Sequence, residues 1–85
     1  MTFDQKLAGF RYRYPHHNAL EHVAISGGEL AHKTTPGRIS HADARGLVAN
    51  GLARILRGAW LIVDLTEDGE NYLAESRAAF AEICE

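Results

Sequence analysis

The sequence of 85 residues predicts a single small domain of the α+β class that spans the whole chain. Two strand-like segments, residues 53–56 and 60–65, are separated by three residues centred on a glycine, and this spacing favours a β-hairpin. The segment 67–83 follows Thr66 and repeats apolar residues at helical spacing, which predicts a long helix. With 46% hydrophobic and 24% charged residues, the composition is that of a folded globular protein.

The first fifteen residues predict an N-terminal arm or an edge strand. Residues 10–14 alternate aromatic side chains with arginines, which is the period of a strand, and Pro15 ends the run. An added strand is the structural interpretation of this pattern. The functional alternative is a basic and aromatic arm that contacts phosphates or stacks on bases.

A short helix is predicted over residues 19–26. Asn18 and Glu21 have the spacing of a capping pair, and Gly27-Gly28 disfavours continuation of the helix. The following residues, 29–36, are predicted to be extended and to enter a turn at Pro36-Gly37.

A second helix is predicted over residues 41–50. Ser40 is a good N-cap, and Asn50-Gly51 is a typical helix end because glycine tolerates the left-handed conformation there. The apolar stripe of this helix consists of Ala44, Leu47 and Val48. We therefore expect the opposite side of the helix to face solvent.

Charge is distributed unevenly along the chain. Residues 1–60 contain eight Lys/Arg side chains against four acids and all five histidines, whereas residues 61–85 contain one arginine against seven acids. The net charges of the two parts are thus +4 and −6. This asymmetry favours one surface that attracts an anion and another that is turned away from it.

The second half of the chain resembles the winged helix-turn-helix superfamily of bacterial and phage regulators. The resemblance covers about residues 40–75 and is carried by Gly51-Leu52 after a helix, a short hairpin, and Leu65-Thr66-x-x-Gly69 opening the next helix. It implies a small winged-helix-like α+β domain with a two-stranded β-wing and a long C-terminal helix. Gly69 is expected to allow close approach of helix and sheet.

The resemblance implies that the protein binds double-stranded DNA, as a transcriptional regulator or as an accessory factor of a mobile element. The helix 41–50 would lie in the major groove, with Arg45 as its one long hydrogen-bond donor. Other residues implied in DNA contacts are Lys33, Arg38, His41, Ala42, Ala49, Arg54 and Arg57. The alternative for Arg45 is a solvated side chain that pairs with Asp43 or Glu21.

A second interpretation is a protein-interaction module with the same fold. The helix 67–83 would supply the surface, and its acidic flank would dock on a basic partner such as a nucleic-acid enzyme. The apolar residues Tyr72, Phe80 and Ile83 would instead mediate a homodimer.

Other classes find no support in the sequence. The histidines lack the spacing of a zinc site, so no bound metal is expected. No phosphate loop or nucleophile motif is present, so we expect no cofactor and no enzymatic activity. The single cysteine, Cys84, precludes an intrachain disulfide and favours a reducing cytoplasm. No apolar stretch approaches the length that spans a bilayer.

Overall fold

The computed structural model describes residues 1–26, 39–57 and 61–84. Within these residues the chain forms four helices and one two-stranded antiparallel sheet. In chain order the elements are α1 (Phe3–Arg13), α2 (His17–Ser26), α3 (His41–Ala49), β1 (Ala53–Arg57), β2 (Leu61–Leu65) and α4 (Glu67–Cys84). The predicted α+β class, hairpin and long last helix are thereby confirmed.

The expected arm or edge strand in residues 1–15 is wrong, because residues 3–13 form helix α1. Thr2 begins this helix with a reciprocal capping box: its hydroxyl accepts from the Gln5 amide at 3.2 Å, and the Gln5 side chain accepts from the Thr2 amide at 3.0 Å. Phe10 and Tyr14 lie four residues apart, so a helix places both on one side, where they meet α4. This packing outweighs the alternation of the local sequence.

Helix α2 begins at His17, two residues earlier than predicted, and Asn18 lies inside its first turn rather than capping it. Glu21 instead forms an ion pair and hydrogen bond with Arg77 of α4. The predicted glycine stop, the extended segment 29–36 and the centre of the hairpin turn lie outside the described residues.

The hydrophobic core lies where α2, α3, the sheet and α4 meet. Leu20, Leu47 and Val63 are almost fully buried, and they come from three of these elements. Ile39 is also buried, immediately before the cap of α3, so a core residue precedes that helix.

The junction between the sheet and α4 is compact. The Thr66 hydroxyl donates to the Gly51 carbonyl at 2.7 Å and accepts from the Gly69 amide at 3.1 Å, so Thr66 caps α4 as predicted. A Cβ placed on Gly69 would overlap the carbonyl oxygen of Leu52. The predicted close approach of helix and sheet at Gly69 is therefore confirmed.

Helix α1 packs outside this core, through rings. Phe10, Tyr14, His17, Tyr72 and Phe80 form an aromatic cluster whose neighbouring ring centroids are 5.1–6.0 Å apart. Edge and tilted contacts of this kind join α1 to α2 and α4. In the described ranges, none of the helices combines the length and apolar character needed to cross a membrane.

Candidate nucleic-acid interface

The orientation of α3 is determined at both of its ends. At the start, the Ser40 hydroxyl accepts from the Asp43 amide at 3.1 Å. At the end, Gly51 adopts a φ of +71°, its amide donates to the Val48 carbonyl, and the Leu52 amide donates to the Leu47 carbonyl at 2.9 Å. These are the two bonds of a Schellman motif, so the predicted helix end at Asn50-Gly51 is confirmed.

The outward face of α3 carries small side chains apart from one arginine. Ala44 and Leu47 are buried, and the residues on the opposite side of the helix are Ala42, Arg45 and Ala49, all exposed. Arg45 forms no ion pair with any described residue, so neither of the two predicted partners, Asp43 and Glu21, holds it. His41 lies exposed at the start of the helix.

The two strands form a ribbon that follows α3 directly, as predicted for a wing. Arg54 lies opposite Asp64 in the register and pairs with it, with nitrogen–oxygen distances of 2.7 and 2.8 Å. Asp64 therefore offsets much of the charge that Arg54 was expected to offer to phosphates. Arg57 is exposed at the far end of β1 and forms no ion pair within the described part of the chain.

The ribbon also exposes apolar side chains. Ile55, Leu56 and Leu61 are 38%, 47% and 44% exposed, although a strand pair that contacts only phosphates needs no such residues. Lys33 and Arg38, the other two predicted DNA contacts, lie outside the described residues.

The residues predicted to mediate a homodimer pack partly within the chain. The Tyr72 ring meets the Tyr14 ring edge-on at 5.7 Å, and the Tyr72 hydroxyl accepts from the His16 amide at 3.2 Å. Phe80 lies 5.4 Å from Phe10 and remains 37% exposed, while Ile83 is half-buried. Helix α1 therefore covers much of the α4 surface that the sequence left open.

Comparison of the chain with protein-family models, curated proteins and solved structures found no match.

The structure adds a polar contact that sequence reasoning missed. Nδ1 of His17 lies 2.7 Å from the hydroxyl of Ser76, and that hydroxyl donates to the Leu73 carbonyl at 3.0 Å. Ser76 is fully buried, so its oxygen is closed to any substrate, and the contact is structural rather than nucleophilic. The sequence feature that indicates this contact is the position of Ser76 on the apolar stripe of α4.

A second contact links α1 to α4. The Tyr14 hydroxyl donates to a Glu75 carboxylate oxygen at 3.2 Å, and the Arg13 guanidinium lies 5.5 Å from the centre of the Tyr14 ring. Burial, reinforced by the hydrogen bond to Glu75, raises the pKa of the Tyr14 phenol.

Among the described residues, no three His, Cys, Asp or Glu side chains converge as a metal site would require.

Proposed function

We propose that the protein is a small DNA-binding protein of the winged-helix type, acting as a regulator or as an accessory factor of a mobile element. The observation that carries the proposal is the outward face of α3, where Arg45 forms no ion pair with any described residue and lies beside a two-stranded ribbon. In this arrangement a helix enters the major groove while the ribbon lies along the phosphate backbone.

Small side chains favour this docking of α3. Ala42 and Ala49 flank Arg45 on the exposed face, so the helix backbone can approach the edges of the bases closely. Arg45 then has the reach to donate two hydrogen bonds to O6 and N7 of a guanine, the commonest specific contact in major grooves. His41 and Arg57 extend the contact at the start of α3 and on the ribbon.

Backbone contacts supply the rest of the affinity. Lys33, Arg38 and Arg57 are the cations assigned to phosphates in this proposal, and Arg54 contributes less because Asp64 neutralises it. The acidic first turn of α4, with Glu67, Asp68 and Glu70, must then face away from the duplex.

Fluorescence anisotropy with a labelled duplex library, repeated over a series of salt concentrations, tests the proposal. We expect micromolar or tighter binding at low salt, and Arg45→Ala should weaken binding to the preferred site by about 1–3 kcal/mol. Arg13→Ala, which removes an exposed cation from α1, is the matched control and should bind like the wild type. The proposal fails if no duplex binds, or if both variants lose the same affinity.

A protein-interaction module is the second candidate, and the exposed Leu56 and Leu61 of the ribbon favour it. Leu56 lies on the same face of β1 as Arg54, so Leu56→Lys adds a cation to the ribbon surface. If the ribbon follows a DNA backbone, this change should steepen the salt dependence of DNA binding by about one unit of slope. An unchanged slope would show that the ribbon does not follow the DNA backbone and would favour the protein-interaction module.

A further inference from the structure

A cleft of about 480 Å³ opens between α1, the start of α2 and the end of α4. Its walls are mainly rings and aliphatic groups: Phe3, Leu7, Phe10 and Phe80 line it. Leu7 is half-buried, and Phe3 and Phe80 remain 52% and 37% exposed, so this apolar surface has no cover within the described chain. A volume of this size is typical of small-molecule sites with mostly apolar walls.

The polar groups of the cleft favour an anion. Arg11 lines it and forms no ion pair with any described residue, and no carboxylate is among the lining residues. Arg11 is exposed at the cleft, and arginine binds carboxylates with two parallel hydrogen bonds. The charge of the site is therefore complementary to a ligand with one carboxylate.

His17 also lines the cleft. The one hydroxyl proton of Ser76 is donated to the Leu73 carbonyl, so the short contact with His17 requires Nδ1–H as the donor. Nε2 is then the ring atom left for a ligand, and it has no hydrogen-bond partner among the described residues. Stacking on Phe80, with the ring planes 20° apart, holds the imidazole in place.

From this geometry we infer that the cleft binds a small aromatic carboxylate. The aromatic body of the ligand packs against Phe3, Phe10 and Phe80, its carboxylate pairs with Arg11, and Nε2 of His17 contacts its polar edge. The inference is independent of DNA binding, because the cleft lies between α1, the start of α2 and the end of α4 and shares no residue with α3 or the ribbon.

Titration of the full chain with 2-naphthoate, followed by two-dimensional NMR, tests the inference. The neutral 2-naphthamide has the same size and shape and is the ligand control. We expect 2-naphthoate to bind with a dissociation constant of about 1 mM or lower, the range ordinary for a ligand of this size. It should bind about fivefold tighter than the amide, since one charged hydrogen-bonded pair is added.

Two variants test whether Arg11 is the cation that pairs with the carboxylate of the ligand. Arg11→Gln should abolish the preference for the acid over the amide, whereas Arg13→Gln, on the same helix but outside the cleft, should retain it. Equal affinity of the wild type for both ligands, or shifts centred away from α1 and the end of α4, would overturn the inference. So would a dimer whose interface, mapped by the same NMR spectra, covers α1 and the end of α4 and excludes both ligands, because a second copy of the chain would then occupy the cleft.

Discussion

Ser76 is the one fully buried polar residue within the described part of the chain, and its hydroxyl links α2 to α4. Ser76→Ala should lower the free energy of unfolding by about 1–2 kcal/mol, because the His17 Nδ1–H loses its acceptor at a half-buried position. Urea unfolding measures this loss. In a His17→Ala background the same substitution should cost less, and an equal cost in both backgrounds would show that the pair contributes nothing.

The ion pair between Glu21 and Arg77 makes a pH-dependent contribution to stability. The hydrogen bond from Arg77 lowers the pKa of the Glu21 carboxyl, so its contribution is present above the unfolded pKa of about 4.3 and is lost as the pH falls through the folded value. Glu21→Gln should therefore destabilise the protein at pH 7 by less than about 1 kcal/mol.

The same pair predicts the pH at which the variants converge. Urea midpoints of Glu21→Gln and the wild type should differ at pH 7 and approach each other as the pH falls through the lowered pKa of the folded Glu21 carboxyl. Glu82→Gln, which removes an exposed carboxylate without an ion pair to a described residue, is the control and should show no such trend. A difference that persists unchanged in acid would contradict the assignment.

At the scale of elements, the contact between α4 and Leu52, the residue before β1, requires that position 69 has no side chain. Gly69→Ala places a Cβ on the Leu52 carbonyl oxygen, so helix and strand have to separate, and we expect a loss of about 3 kcal/mol or more. Gly9→Ala is the matched control, because a Cβ there meets nothing within 4 Å and the residue lies inside α1. It should stabilise the protein by about 0.5–1 kcal/mol. Thermal unfolding of the two variants distinguishes a close approach from a general intolerance of alanine.

The elements also differ in how far local sequence predicts them. The caps of α3 and α4 and the left-handed Gly51 are set by neighbours in sequence, and all were predicted correctly. The exposure of Arg45 followed from the helical phase of Ala44 and Leu47. The pairing of Arg54 with Asp64 was not predicted, because it depends on the cross-strand register, which the pattern of one strand does not contain.

The described residues of the molecule form two layers, a hydrophobic core cluster and an aromatic cluster. Leu47 belongs to the core cluster, whereas Phe10 of α1 packs in the aromatic cluster outside it. Leu47→Ala should cost about 2–5 kcal/mol, a large part of the total stability of about 4–13 kcal/mol that 85 residues provide. Hydrogen exchange should therefore accelerate throughout the chain.

Phe10→Ala should change hydrogen exchange in the layer formed by α1 and the aromatic cluster, and not in the core. The amides of α1 should exchange faster, while those of α3 and β2 keep their protection, because no α1 residue takes part in the core cluster. Uniform acceleration in both variants would show that α1 folds as one cooperative unit with the rest of the chain.

The amino-acid sequence by itself determined the hairpin, the two capped helices around it and the α+β class, since each depends on interactions within a few residues. Tertiary structure favoured a helix over a strand in residues 3–13, because Phe10 and Tyr14 pack on α4 in that conformation, and the local capping box of Thr2 and Gln5 favours the same helix. It also decided the cleft beside Arg11, because its walls come from segments more than sixty residues apart in the chain. Contacts over such separations depend on packing, which no local pattern encodes.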